Sequence, residues 1–131
     1  MLKYIKQFTV VIMLSALAVS QSGCFALLAG EAAGAGTLAW ANGDLEYNFD
    51  SSVSEVHDAT LKALRKTGLV VAQDVNDKHN AKLKSSYADG KDVNISISAL
   101  TEKSSKIQIR VGVFGDRARS EALLNTIEKY L

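Results

Sequence analysis

The sequence contains no proline, a single cysteine, Cys24, and no strong excess of charge of either sign. A lone cysteine has no partner, so a disulfide within one chain is excluded. Lysine and arginine together number 15 against 14 aspartates and glutamates, which gives no electrostatic reason to expect binding to nucleic acid. Residues 1–23, which we predict below to be removed, hold two of the basic and none of the acidic residues. Their loss leaves 13 against 14, a net charge near −1.

Histidine is also scarce, with His57 and His79 as the two copies. A zinc site takes three or four ligands, and the nearest candidates around His57 are Glu55 and Asp58. Residues one or two positions apart do not share a face of a helix, so this cluster predicts a solvated or partly buried helix surface. We therefore expect no metal site and no cofactor.

Patterns that indicate catalysis are missing as well. None of the serines lies in a nucleophile-elbow sequence, and the nearest pair of carboxylates, Asp74 and Asp77, is interpreted as solvated loop. Paired carboxylates brought together by the fold stay open as an alternative. We expect no catalytic residue, and an enzyme ranks third among the functional hypotheses.

The beginning of the chain has the layout of a secretory signal. Lys3 and Lys6 give a basic start, and residues 8–19 form an uncharged, mostly apolar run of 12 residues. This run is shorter than the roughly 20 apolar residues that span a bilayer. The pattern therefore indicates a signal peptide over residues 1–23.

The tetrapeptide Gln21-Ser22-Gly23-Cys24 follows the apolar run and resembles the lipobox of bacterial lipoproteins. The resemblance implies that the cysteine thiol receives a diacylglycerol and that cleavage makes this cysteine the first residue. Small residues before it allow the peptidase to approach the backbone, whereas Gln21 stands at a position that is usually aliphatic. Two alternatives are a signal peptide cut after residue 20 and an uncleaved helix over residues 8–29.

Lipidation of Cys24 would hold the protein on a membrane, because each buried methylene contributes roughly 0.8 kcal/mol and two or more chains anchor stably. In some Gram-negative lipoproteins an aspartate after the cysteine signals retention in the inner membrane. Phe25 occupies that position here. We expect a lipid-anchored protein of the cell envelope, at the outer membrane and facing the periplasm.

Residues 24–43 are rich in glycine and alanine and predict either a tether or a membrane-associated helix. Gly30 and Gly34 form a small-xxx-small pair that allows close helix packing in lipid, whereas Glu31 is costly in hydrocarbon. Trp40 suits either the headgroup level of a membrane or packing on the domain that follows.

The rest of the chain, residues 44–131, predicts one small domain. Residues 44–50 alternate polar with apolar side chains, which predicts a strand, and we place it at a sheet edge. Ser52 and Glu55 have the spacing of a capping box that starts a helix, and Gly68 supplies the left-handed residue that ends it.

Four further strands and a second helix follow. The strands are predicted at residues 69–75, 81–87, 93–99 and 107–113. Asp89-Gly90 predicts a hairpin turn, and Ser104-Ser105 marks another turn. Asp116 caps the last helix, whose apolar stripe is Ser120, Leu123, Leu124, Ile127 and Leu131.

The order of these elements predicts an α+β fold. Strands joined by hairpins form an antiparallel sheet, here of about four to five strands, with polar residues on one face. Two amphipathic helices then cover the other face in a two-layer domain.

Two short motifs, Gly-Ala-Gly at residues 34–36 and Arg-Val-Gly-Val-Phe-Gly-Asp at residues 110–116, resemble a family of small bacterial lipoproteins classed as domain of unknown function 3568. The likeness spans roughly residues 24–131 and includes the Leu-Arg-Lys-Thr-Gly-Leu run at residues 64–69. It implies a lipoprotein and supplies no activity and no site residue.

The Phe-Gly-Asp part of the closing motif has a structural interpretation, because Gly115 allows a sharp turn into the helix that Asp116 caps. Arg117 and Arg119 in the first turn oppose the helix dipole, which suggests contact with an acidic partner or lipid headgroups.

These observations favour a membrane-anchored envelope lipoprotein with a non-catalytic accessory or interaction domain. Its expected partners are the membrane, through the N-terminal lipid, and an envelope protein or a second copy of the chain. The alternative is a periplasmic carrier of a small apolar ligand, such as a lipid or cell-wall fragment. A carrier requires a pocket of at least a few hundred Å³ lined by apolar residues.

Overall fold

The computed structural model describes Tyr4, Gly36 and residues 38–131, and the elements discussed here all belong to the unit Gly34–Leu131. The elements are β1 (Leu38–Ala41), β2 (Asp44–Phe49), α1 (Val53–Lys66), β3 (Val70–Asn76), β4 (Asn80–Ser86), β5 (Asp92–Thr101), β6 (Ser104–Val111) and α2 (Arg117–Glu128).

The strands of this unit form one sheet in the order β1-β2-β6-β5-β4-β3, and every neighbouring pair is antiparallel. Both helices contact the sheet and each other, so the predicted two-layer α+β architecture is confirmed. The predicted number of strands, four to five, is wrong, because residues 38–131 contain six.

The additional strand, β1, comes from the end of residues 24–43, for which the sequence predicts a tether or a membrane-associated helix. Asn42 and Gly43 join it to β2, with φ angles of 53° and 88°. Positive φ at both central residues is what a two-residue hairpin turn of type I′ requires. As a result β2 lies inside the sheet rather than at its edge, and Trp40 is half-buried against the core of the domain.

The predicted turn at Ser104-Ser105 is also wrong, because both serines belong to β6. The turn is made by the preceding residues, and the Thr101 and Ser104 hydroxyls lie 2.7 Å apart across it. Ser105 is buried, and its hydroxyl donates to the Ser51 carbonyl at 2.8 Å. A satisfied hydroxyl can be buried in a strand, which a turn signal based on residue type does not reveal.

The last strand and the last helix both end earlier in the chain than the sequence predicts. Strand β6 ends at Val111 because the next residue, Gly112, leaves the extended conformation with a φ of 74°. Helix α2 ends at Glu128, so Leu131 lies beyond it and is exposed.

The predicted capping box of α1 is confirmed. Ser52 Oγ accepts a hydrogen bond from the Glu55 N–H at 3.3 Å, and Glu55 Oε2 accepts one from the Ser52 N–H at 2.8 Å. Gly68 has a φ of 76° just beyond the helix. The helix therefore begins and ends where its sequence signals place it.

The core lies between the sheet and the helices, because alternate residues of each central strand point to that side. Its largest fully buried side chains are Leu45, Leu64, Leu83, Ile95, Ile97, Ile107, Ile109, Leu123, Leu124, Ile127, Val56 and Val93. The opposite face of the sheet is polar, and there Glu46 accepts hydrogen bonds from Gln108 at 2.6 Å and Lys106 at 3.4 Å. Within the part of the chain that the structure describes, helices are too short or too polar to cross a membrane.

Candidate functional site

The predicted N-terminal sites cannot be placed in the fold. The lipobox and lipidation residues and the helix-packing pair lie outside the described residues: Gln21, Ser22, Gly23, Cys24, Gly30 and Gly34. Lipidation and helix packing therefore stay predictions.

Within the domain, the most conspicuous feature is the loop between β6 and α2. Val113 and Phe114 in this loop are 81% and 92% exposed. Scattered apolar side chains on a surface are ordinary, but two neighbouring ones at the tip of one loop form a small apolar projection. We call Val113 and Phe114 the apolar tip.

Arg110 holds the loop between β6 and α2 through hydrogen bonds. Its guanidinium donates to the Asp44 carboxylate from Nε at 2.6 Å, to the Asn42 carbonyl from Nη2 at 2.6 Å and to the Val113 carbonyl from Nη1 at 3.2 Å. The neighbouring Asp44 carboxylate raises the pKa of Arg110. One side chain thus connects the β1–β2 turn to the loop that carries the apolar tip.

The same two loops touch through their backbones. A Cβ added at Gly43 would lie 2.6 Å from the Phe114 carbonyl oxygen, and one added at Gly115 would collide with the backbone of Gly43. Gly115 has a φ of 83°, so it makes the sharp turn that the sequence indicated. Only glycine allows this approach at either position.

The apolar tip is therefore exposed on a loop that is held by the hydrogen bond from Arg110 and by the backbone contact with Gly43. A rigid aromatic side chain loses little conformational entropy on binding, and aromatic residues are enriched among the side chains that dominate binding energy at interfaces. The geometry suits an anchor that enters a pocket on a partner.

The two arginines at the start of α2 have partners within the domain. Arg117 Nε donates to Glu121 Oε1 at 2.8 Å, and its guanidinium lies 6.0 Å from the centre of the Trp40 ring. Arg119 Nη2 donates to Asp89 Oδ2 at 2.8 Å. Both cations are engaged, so their mismatch with the helix dipole does not require an outside partner.

The carboxylates near these arginines are stabilised in their charged form. The Arg119 guanidinium, by hydrogen bonding, lowers the pKa of Asp89. The backbone N–H of Arg119, which donates to Asp116 Oδ1 at 3.1 Å, lowers the pKa of Asp116. Lys91 Nζ also lies 3.4 Å from Asp116 Oδ2. The apolar tip is thus bordered by paired charges, like the polar rim of a protein–protein interface.

A surface groove of about 540 Å³ adjoins the apolar tip and is lined by Val113, Phe114, Lys91, Asn94 and Arg110, among others. Its polar groups include the guanidinium that holds the loop. The apolar tip and the groove beside it are therefore neighbouring parts of one surface at this end of the domain.

The family comparison concerns nearly the whole chain. A family model described as "Protein of unknown function (DUF3568)" matches residues 7–130. The chain belongs to this family. The resemblance drawn from the short motifs is confirmed, and the DUF3568 description assigns no activity. The chain matches no curated protein.

A second cluster in this DUF3568 member joins α1 to the edge strand β3. His57 is 4% exposed, and its Nε2 lies 2.7 Å from Asp74 Oδ1. The Asn76 amide nitrogen lies 3.2 Å from His57 Nδ1. An amide nitrogen only donates, so we assign Nδ1 as the acceptor and Nε2 as the donor to Asp74.

This cluster refines the predictions from the sequence. His57 belongs to the buried side of α1, together with Val53, Val56 and Thr60, whereas Glu55 and Asp58 are exposed, so the predicted surface is partly buried. Asp74 lies within β3, in agreement with the predicted strand over residues 69–75, so its interpretation as solvated loop is wrong. The signal for a buried histidine was its place in the apolar stripe at three- and four-residue spacing.

The other candidates behave as turn residues. The backbone N–H groups of His79 and Asn80 donate to Asp77 Oδ1 at 2.8 and 2.9 Å and lower the pKa of Asp77. Asp77 therefore shapes the β3–β4 turn. In the described part of the chain, histidine, cysteine and acidic side chains do not gather in a group of three that could hold a metal ion.

Proposed function

We propose that this DUF3568 protein is a membrane-anchored envelope lipoprotein whose α+β domain is a non-catalytic interaction module. The anchor is Cys24, as its sequence context indicates. The domain binds a protein of the envelope through the apolar tip. The observation that carries the proposal is the exposure of Phe114, 92%, on a loop held by Arg110.

Two features of the loop support a protein partner over a lipid surface. Embedding in an anionic membrane is favoured by unpaired basic residues near the apolar side chains. Here Lys91 and Arg119 pair with Asp116 and Asp89, so the surroundings are close to neutral. A rigid aromatic anchor with a rim of paired charges is the arrangement found at specific protein interfaces.

A non-catalytic role agrees with the state of the His57 cluster. A general base needs a nitrogen that can reach a substrate proton. Both ring nitrogens of His57 are engaged, one by Asp74 and one by Asn76, and the ring is buried. The cluster therefore serves to attach α1 to β3.

The carrier of a small apolar ligand stays a prediction without structural support. A carrier would need an apolar cavity between the sheet and the helices. In the described residues that space is filled by the core side chains, with Val56, Ile107 and Ile109 at 0% exposure.

The anchor is tested by intact mass and membrane fractionation of the full chain and of Cys24→Ala in a bacterial host. We expect the wild-type chain to lose residues 1–23, to gain acyl chains and to fractionate with membranes. The variant should be released or left uncut. A wild-type chain that is cut near residue 20 and carries no lipid would contradict the proposal.

The interaction site is tested by placing a photo-crosslinking amino acid at position 114 of the full chain in cells. The control is the same amino acid at Glu102, which is exposed in the β5–β6 turn. We expect a discrete protein adduct from position 114 that is missing from position 102. Identical adduct patterns, or adducts to lipid alone, would refute the proposed site.

A further inference from the structure

Strand β3 forms one edge of the sheet and pairs only with β4 among residues 38–131. Proteins commonly protect such edges with lysine, proline, a covering element, an inward-pointing charge or a bulge. The sequence of β3, Val-Val-Ala-Gln-Asp-Val-Asn, contains neither lysine nor proline. It does contain an inward-pointing charge, because Asp74 is held by His57 on the helix side of the sheet, and a bulge after Val71. Its outer backbone groups nevertheless face no partner strand among residues 38–131.

A bulge determines which side chains of β3 share a face. The register with β4 shifts between Val71 and Gln73, which leaves Ala72 as the extra residue. Directly paired residues of antiparallel strands point to the same side, and the partners of Val71 and Asp74 are the buried Ser85 and Leu83. Val71 and Asp74 therefore lie on the core side.

The remaining paired residues of this stretch lie on the open side. Val70, Gln73 and Val75 pair with Ser86, Lys84 and Lys82, all of which are exposed. From residue 70 to residue 75 the faces read open, core, the exposed extra residue Ala72, open, core, open. With Ala72 on the open side beside Gln73, this order is the same in both directions.

A strand with this symmetry can pair with itself. In an antiparallel pair with Val70 opposite Val75 of a second copy, residues on the same face meet throughout. Val70 and Val75 are 79% and 55% exposed in the single chain. In this register Val70 of each copy packs against Val75 of the other, so all four valines are covered. A shift by one residue would set the open side of one copy against the core side of the other.

We propose that two copies of this chain pair through β3 in this register and join their six-stranded sheets into one continuous sheet. The contact is isologous, so it uses the β3 edge of both copies and closes at a dimer. The apolar tip lies at a different part of the domain, on the loop after β6. The dimer therefore does not depend on the proposed envelope partner, and the two proposals can fail separately.

The register is tested by disulfide cross-linking of the full chain. Val70→Cys and Val75→Cys are made as two separately tagged variants, mixed and treated with a mild oxidant. Position 70 of one copy lies opposite position 75 of the other, within the Cα separation of up to about 7 Å that a disulfide spans. Two copies of position 70 are separated by five residues, roughly 17 Å along the strands.

We expect the mixture to give at least tenfold more covalent dimer than either variant alone, with the unsubstituted chain as the control for Cys24. Equal cross-linking in the single variants would overturn the register. Absence of a covalent dimer, or a cross-link only to a different protein, would overturn pairing between copies.

A second measurement avoids cysteine altogether. Val75→Lys in the full chain should raise the dimer dissociation constant at least tenfold by analytical ultracentrifugation in detergent, because it places a cation opposite Val70 of the other copy. Leu38→Lys is the matched control, since it exchanges an exposed apolar residue for lysine on β1, the opposite edge of the sheet, and it should leave the constant unchanged. Equal weakening by both variants would indicate unspecific apolar association and overturn the proposal.

Discussion

Gly43 and Gly90 offer a direct test of the contact between the β1–β2 turn and the loop that carries the apolar tip. Their φ angles are 88° and 87°, so alanine meets the same backbone penalty at both. A Cβ at Gly90 has no atom within 4 Å, whereas one at Gly43 lies 2.6 Å from the carbonyl oxygen of Phe114 and 3.1 Å from its carbonyl carbon. Comparing Gly43→Ala with Gly90→Ala therefore separates the free-energy cost of the left-handed backbone from the cost of the steric clash with Phe114.

The magnitudes follow from these two costs. A left-handed conformation costs an L-residue roughly 1–2 kcal/mol, and the loss of unfolded-state freedom returns about 0.4–1 kcal/mol. Gly90→Ala should therefore lower the free energy of unfolding by about 1 kcal/mol. Gly43→Ala adds an overpacking cost of typically 1–3 kcal/mol, because its neighbour is backbone and cannot rotate away, so its total is about 2–4 kcal/mol.

The assay is equilibrium unfolding of the full chain in urea, followed by the fluorescence of Trp40, the only tryptophan. The slope against urea should stay the same in both variants, so that midpoints compare free energies. Equal losses of stability at Gly43 and Gly90 would refute the close contact of the two loops.

Two further predictions concern a helix cap and a charge pair. Ser52→Ala should lower the free energy of unfolding by about 0.5–2 kcal/mol, because the first turn of α1 loses its side-chain acceptor. The control is Ser54→Ala, which changes an exposed serine in the same turn of the helix and should leave the free energy of unfolding near that of wild type. The pKa of Asp89 is lowered by its hydrogen bond from Arg119, so its contribution to stability is complete above the usual aspartate range and is lost as the pH falls through the lowered pKa. The difference in Tm between wild type and Asp89→Asn should therefore be present at neutral pH and shrink as the pH falls below the usual aspartate range, and a difference that stays constant with pH would contradict the pairing.

Local signals predicted most of the fold. The alternation in β6 and the capping box at Ser52 each depend on residues close in sequence, and both are confirmed. The hairpin at Asn42-Gly43 carried an equally strong local signal, but the glycine- and alanine-rich stretch before it favoured a tether. The composition of a long stretch thus concealed the short strand at its end.

The features of the site depend on contacts between distant parts of the chain. Arg110 reaches Asn42, 68 positions away, and His57 reaches Asp74, 17 positions away. Periodicity can place each residue on a face, but the pairing of faces follows from the order of strands in the sheet. The exposure of Phe114 was likewise hidden, since an aromatic residue after an apolar strand predicts burial.

The pairing of β2 with β6 sets the order in which the fold can be completed. Glu46 and Gln108 are direct partners although 62 positions separate them, whereas β3 to β6 are joined in sequence by short turns. During synthesis from the N-terminus the chain can form the β1–β2 hairpin early. This hairpin has no strand to pair with until β6 has been synthesised as far as Val111. Closing such a long loop is slow compared with forming neighbouring hairpins. We therefore expect the N-terminal hairpin to dock after the hairpins of β3 to β6 have formed, and we expect a pulling force on the N-terminal segment to detach this hairpin first.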